Sequence, residues 1–215
     1  MIISLAQLSF SNANIEQNFN KIIQNLDNFL DSDIIIFPEL FLTGYLPLDL
    51  ILRKEYKNII SFKIKELNQV IKQKKLSDKI FIIGSPFYQK DNIYNSAIIL
   101  YKNKIYNYNK IFLPNYGVFD EKRYFKSGDK FIILKTKYND NDLNKSLNLN
   151  LSILICEDIW VDFSPAYYLK SKYDISLFIV INSSPFEIRK IYLRQQIVRN
   201  IAKNCNSFVI YVNNL

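Results

Sequence analysis

The chain predicts a layered α/β fold, and three features carry that expectation. Short β-branched runs alternate with longer segments whose apolar residues recur at helical spacing. The opening unit already reads strand, helix, strand, the unit from which layered sheets are built. The apolar runs also end abruptly, in proline, in small polar residues or in one chemically distinctive side chain, as strands do at the carboxyl edge of a sheet. At 215 residues, 49% hydrophobic and 22% charged, the chain has the length and composition of one globular domain.

Residues 2–9 alternate and predict the first strand. Asn14 to Phe29 places Ile15, Phe19, Ile22, Ile23 and Leu26 on one helical face, with Asn12 or Asn14 as the cap. Ile34 to Phe37 is an apolar strand stopped by Pro38, and Glu39 follows at its carboxyl end; taken alone, Glu39 reads more readily as a surface carboxylate on a loop than as a functional group. Glu55 to Lys75 predicts a second long helix, and Lys79 to Gly84 a strand stopped by Gly84 and Pro86. Asn95 to Tyr101 and Lys104 to Tyr108 flank Lys102-Asn103 as a hairpin that delivers Lys110. The following run, IFLPNYGVFDEKRYF, has neither period and predicts an ordered loop, either functional or covering a core edge.

Asn139 to Asn150 is polar and repetitive and predicts a mobile loop or loose hairpin tip. Leu151 to Ile155 is a buried strand cut off by Cys156, with Glu157 and Asp158 next. Ser164 caps a short helix with Pro165 at its first position. Ile175 to Ile181 is another buried strand, ending in Asn182-Ser183-Ser184-Pro185. Glu187 to Asn204 predicts a helix and Ser207 to Val212 a last strand. No linker or internal repeat interrupts the series.

Composition narrows the chemistry. The two cysteines imply no disulfide framework and a reducing, cytoplasmic setting. The amino terminus lacks a basic n-region, and the most apolar long segment, Ile34 to Leu52, is broken by Pro38, Glu39, Pro47 and Asp49, so neither a signal peptide nor a membrane span is expected. The net charge of +8 is scattered through a chain rich in Lys, Asn, Ile and Tyr, which predicts no nucleic-acid surface and no membrane surface. Most informative, the chain has no histidine, which excludes His-dependent triads and the common zinc sites. No metal site is expected.

Glu39, Lys110 and Cys156 each follow a predicted strand or its hairpin, so the sheet places them along one edge. Their chemistry is complementary. An ammonium lowers a thiol's pKa, a carboxylate carries the thiol proton to a leaving amine, and the same ammonium steadies an oxyanion. A Glu–Lys–Cys set performs the work of Cys–His without histidine. Cys205 matches no such set and is expected to be a small core residue.

Four segments bring a resemblance to a known family: FPELFLTGYLPLDLILR, KIFLPNYGVFDEKRYF, ICEDIW and INSSPFEIRK. Together they resemble the nitrilase or carbon–nitrogen hydrolase superfamily, and within it the glutaminase domain of glutamine-dependent NAD⁺ synthetases. The resemblance covers nearly the whole chain and implies a nitrilase-like α-β-β-α sandwich. It implies that Cys156 attacks the side-chain amide of glutamine, that Glu39 is the general base and acid, and that Lys110 stabilises the oxyanion. Tyr45, Tyr116, Glu121, Ser183 and Arg189 fall where the family binds glutamine, Arg189 or Glu121 suiting the amino-acid head group. In such proteins the domain continues past a VNN-like strand and is followed by an ATP-dependent synthetase domain. Residues 1–215 are therefore expected to lack the domain's carboxyl-terminal strands. ATP and Mg²⁺ are expected only at an absent synthetase domain or subunit, which would be the partner, and the chain is expected to form a homo-oligomer. The alternatives are a stand-alone nitrilase-type amidase, against which the NYGVFDEKRYF run argues, and an inactive truncated remnant.

Overall fold

The computed structural model describes residues 1–140 and 145–215, which form two β-sheets packed face to face between two pairs of helices. In the first sheet β1 (Ile3–Leu5), β2 (Ile34–Ile36) and β3 (Ile80–Gln89) run parallel, and β4 (Asn92–Tyr101) and β5 (Lys104–Asn109) continue it antiparallel. In the second, β6 (Ile133–Asp140) pairs antiparallel with β7 (Lys145–Ile155), which is followed by parallel β8 (Leu177–Ile181) and β9 (Phe208–Val212). The helices are α1 (Ile15–Asn25), α2 (Lys54–Gln73), α3 (Pro165–Lys172) and α4 (Lys190–Cys205).

The period-2 alternation of strands sorts the core. Ile34, Ile36, Ile80, Ile82, Ala97 and Ile99 face the second sheet and share one core with Ile153 and Phe178. Their neighbours Ile35, Phe81, Ile83, Ile98 and Leu100 face the other way, onto Phe19 and Ile22 of α1 and Ile60 and Leu67 of α2. Both faces are buried, which is why these strands read as continuous apolar runs. Ala166 and Leu169 of α3 and Ile201 and Cys205 of α4 pack on the second sheet, completing the α-β-β-α order. Asn14 caps α1 through a 3.0 Å bond from Gln17 N–H, and Ser164 caps α3 through Ala166 N–H.

Four elements differ most from the sequence reading, and α4 also starts at Lys190 rather than Glu187, leaving Arg189 before it with φ 68°. The first strand is only Ile3–Leu5, because β2, its partner, is itself three residues long and ends before Pro38. β3 does not stop at Gly84 and Pro86 but runs to Gln89. Ile82 and Gly84 direct their polar groups to the β2 side, accepting from Phe37 and Leu42 N–H, and Pro86, in the same phase, turns its N–H-less nitrogen away from β4. Beyond Ile82 no β2 residue pairs there, so proline costs no ladder bond. Third, β6 has no counterpart in the reading, which left residues 126–138 without an element. Fourth, most of Asn139 to Asn150 is strand: Asn139 and Asp140 end β6, and β7 begins at Lys145. The Asn residues conceal the alternation of Leu149, Leu151 and Ile153, which join one core; residues 141–144 of the expected loop lie outside the described residues. In the β4–β5 hairpin both Lys102 and Asn103 have positive φ, 50° and 60°, the pattern of a type I′ turn.

Candidate active site

Three strand ends converge on one edge of the molecule. Glu39 lies just past β2, Lys110 directly after β5 and Cys156 directly after β7. All three are buried, with exposures of 1%, 1% and 8%.

Glu39 is held from both sheets. Its backbone N–H reaches Asn182 O at the end of β8 (3.4 Å), and Ser183 binds it twice, N–H to Oε2 at 2.9 Å and Oγ to the Glu39 carbonyl at 2.7 Å. On the other side Gly84 presses against this turn so closely that a Cβ there would collide with Pro38 O and Leu40 N. The turn is sharp enough to leave Leu40 at φ 48°. Gly84 is thus what lets β3 lie beside the Glu39 loop.

The Lys110 backbone is fixed by its N–H to Asn95 O and by Gly128 N–H to its own carbonyl, both 2.8 Å. Its ammonium sits between two carboxylates, 2.8 Å from Glu39 Oε1 and 2.7 Å from Glu121 Oε1. Asn95 Nδ2 bridges the same pair, 2.7 Å to Glu39 Oε1 and 3.4 Å to Glu121 Oε2, and Tyr45 OH donates to Glu121 Oε1 at 2.9 Å. Cys156 opens a short 3₁₀ turn with φ 43°, a left-handed conformation that a non-glycine residue holds only at a cost of about 1–3 kcal/mol. Its Sγ is 3.7 Å from Ser184 Oγ, which contacts Tyr211 OH at 3.3 Å.

The charges form one coupled group. Burial pulls Lys110 toward its neutral form, but Glu39 and Glu121 outweigh that and hold the ammonium well above the usual lysine range. Burial pushes the Glu121 carboxyl up to about 7, opposed by Lys110 and reinforced by Glu39. The Cys156 thiol is raised strongly, first by burial and then by Glu39, with Lys110 pulling the other way. The resting nucleophile is therefore a protonated thiol. Attack requires proton removal in the same step, and the nearby carboxylate of Glu39 is the group chemically suited to take it.

Cys156 and Ser184 open into a cleft of about 390 Å³ walled by Tyr116, Trp160, Arg189 and Lys190. A cleft of about 420 Å³ around Lys90, Asn107 and Asp129 contains none of the site residues. Tyr116 and Arg189 stand in the site cleft, Tyr116 giving its hydroxyl to Glu157 Oε2 at 2.9 Å. Glu121 and Tyr45 are not among the cleft's lining residues; Glu121 is wholly buried against Lys110, and Ser183 uses its N–H and hydroxyl on Glu39. Sequence reasoning missed Asn95, Ser184 and Tyr211. The available signal was Asn95-Ser96, two polar residues opening an apolar strand, both wholly buried. Among the described residues no group of three or more His, Cys, Asp or Glu is placed to hold a metal ion, and no helix is long and apolar enough to cross a membrane.

Residues 2–215 match the carbon–nitrogen hydrolase family model. The chain is 32% identical to glutamine-dependent NAD(+) synthetases of Aquifex aeolicus and Thermotoga maritima, over 98% of its own length but 35% of theirs. It thus spans about a third of the length of these curated relatives. Among solved structures it superposes on a glutamine-dependent NAD+ synthetase from Acinetobacter baumannii with a TM-score of 0.82 and 32% identity, covering 99% of this chain and 38% of that one. An amidase from Nesterenkonia sp. shares the fold, with a TM-score of 0.75 at 16% identity, covering 99% of this chain and 75% of that one.

Proposed function

The chain belongs to the carbon–nitrogen hydrolase family, and from that premise we propose that it hydrolyses the side-chain amide of glutamine through a thioester on Cys156, releasing ammonia for an NAD⁺-forming ligase activity. The observation that carries this reading is the fully buried Glu39–Lys110 ion pair beside a buried thiol, in a chain without histidine. The substrate assignment rests on the similarity to glutamine-dependent NAD(+) synthetases over 98% of the chain.

In the acylation step the Cys156 S–H bond breaks as Sγ bonds to the amide carbon, and Glu39 takes the proton. The carbonyl oxygen becomes an oxyanion beside the Lys110 ammonium, which two carboxylates keep charged. Collapse breaks the C–N bond; the proton on Glu39 passes to the departing nitrogen, which leaves as ammonia. Water then gives a proton to Glu39 while its oxygen attacks the thioester. The C–S bond breaks, the thiolate recovers the proton, and glutamate is released. Glu121 holds Lys110 from the far side, and Arg189 and Tyr116 stand in the cleft where the amino-acid head group would lie.

The test is ammonia release from glutamine by the purified chain, with acid-quench mass spectrometry for a glutamyl adduct on Cys156. Turnover with the adduct in the wild type, and neither in Cys156→Ala, is expected. Turnover that survives Cys156→Ala overturns the mechanism, and the absence of turnover and adduct with glutamine overturns the substrate assignment.

A further inference from the structure

We propose that Asp158 is a positioning residue whose carboxylate ties the Cys156 turn to the strand end that carries Lys110. The carboxylate is wholly buried and takes four donors. Oδ1 accepts from Ile111 N–H at 3.1 Å and Phe112 N–H at 2.9 Å, immediately after Lys110. Oδ2 accepts from Tyr108 OH at 2.8 Å, two residues before Lys110, and from Ile155 N–H at 2.9 Å, directly before Cys156. Among the described residues, every hydrogen bond joining 108–112 to 155–158 ends on this one side chain. Its own carbonyl is held in turn by Ser164 Oγ at 2.8 Å, the residue that caps α3.

The two ends belong to different sheets. Lys110 closes β5 of the first and Cys156 closes β7 of the second, and no strand pairing connects them. Apolar packing between sheets sets their spacing but tolerates small sliding. Acyl transfer is less tolerant, because the thiol and the oxyanion-stabilising ammonium act on one carbonyl group, and a shift of about 1 Å can cost roughly 100-fold in rate. A carboxylate whose two oxygens each accept two hydrogen bonds, from two backbone N–H groups and a hydroxyl on the Lys110 side and one backbone N–H on the Cys156 side, supplies that register. It also helps hold the left-handed turn at Cys156, since it accepts the N–H of the residue before it.

This inference builds on the catalytic reading above, and its test keeps the two separable. Asp158→Asn is isosteric and keeps an acceptor for Ile111 and Phe112, but it turns an NH₂ toward Ile155 N–H. In the 215-residue chain kcat for glutamine is expected to fall about 10–100-fold with KM changed less than about 3-fold. Alkylation of Cys156 by iodoacetamide, which needs no substrate, is expected to slow several-fold, because Lys110, drawn away, no longer favours the thiolate. Loss of the Asp158 charge alone acts in the opposite direction, favouring the thiolate and speeding alkylation. Tyr108→Phe removes a single donor and is expected to slow alkylation less, in the same direction, which tests the proposal even if Asp158→Asn does not fold. Faster or unchanged alkylation in both variants overturns the proposal, as does a loss matching only the unfolded fraction seen by circular dichroism. A wild type that is alkylated at Cys156 yet leaves glutamine untouched overturns the substrate reading while the alkylation comparison still decides the role of Asp158.

Discussion

Replacing Lys110 by methionine tests the electrostatics of the site without emptying the space the side chain fills. Lys110 Nζ lies 2.8 Å from Glu39 and 2.7 Å from Glu121, and its side chain has no exposed surface. Breaking a buried ion pair by removing one partner costs about 3–5 kcal/mol. In a domain of this size that lowers Tm by about 6–20 °C near pH 8.5, at about 2–4 °C per kcal/mol. The pH dependence has a definite sign. Lys110 in the wild type is raised above the usual lysine range, so its contribution is complete throughout pH 5–9 and is lost only at higher pH. The carboxylates supply the slope. A carboxyl whose pKa is higher in the folded state weakens the fold progressively as pH rises from the unfolded value toward the folded one. Glu121 sits at about 7 against an ordinary 4.5. Between pH 8.5 and 5.5 the wild type therefore regains about 2 kcal/mol from Glu121, at about 1.4 kcal/mol for each pH unit below 7. Without the ammonium that lowers it, the same carboxyl moves higher still, and one ionising above pH 8.5 regains about 4 kcal/mol. The Tm deficit of Lys110→Met is thus expected to narrow by roughly 4–8 °C on going from pH 8.5 to 5.5, measured by thermal unfolding of both proteins. A deficit that stays constant, or widens on acidification, refutes the argument that two crowded carboxylates are what the lysine neutralises.

Two further substitutions probe neighbouring parts of the site. Glu39→Gln is expected to lower kcat by about 10²–10⁴-fold through loss of proton transfer. The same change speeds alkylation of Cys156, because Glu39 raises the thiol's pKa, and parallel loss of both reactivities would contradict this division of roles. Gly84→Ala places a Cβ against the backbone on both sides of Glu39, so about 1–3 kcal/mol of stability is expected to go together with most of the turnover. A stable, fully active Gly84→Ala protein would show that the Glu39 loop does not depend on that close approach.

The class of fold and the catalytic candidates are legible in the order of residues alone, because both rest on local pattern. Helical spacing marked α1 and α2, Ser164-Pro165 marked the start of α3, and abrupt strand ends marked Glu39 and Cys156. The absence of histidine made the carboxylate–lysine–thiol reading the natural one. The remainder depends on contacts between distant residues, which form only when the sheets pack. Asn95 is an unremarked polar residue in an apolar strand until β4 lays it across Glu39 and Glu121. Pro86 signals a strand end until its nitrogen is seen to face the side where β2 no longer pairs. Glu121 in DEKR and Asp158 in CEDI carry no mark of burial in the sequence, and both are wholly buried. A run of residues records period and chain stops, since those follow from backbone geometry; it does not record which buried donor will meet which acceptor once two sheets close on each other. Here that meeting brings Lys110 to two carboxylates and binds Asp158 to both strand ends, and so sets the state in which the thiol of Cys156 is held.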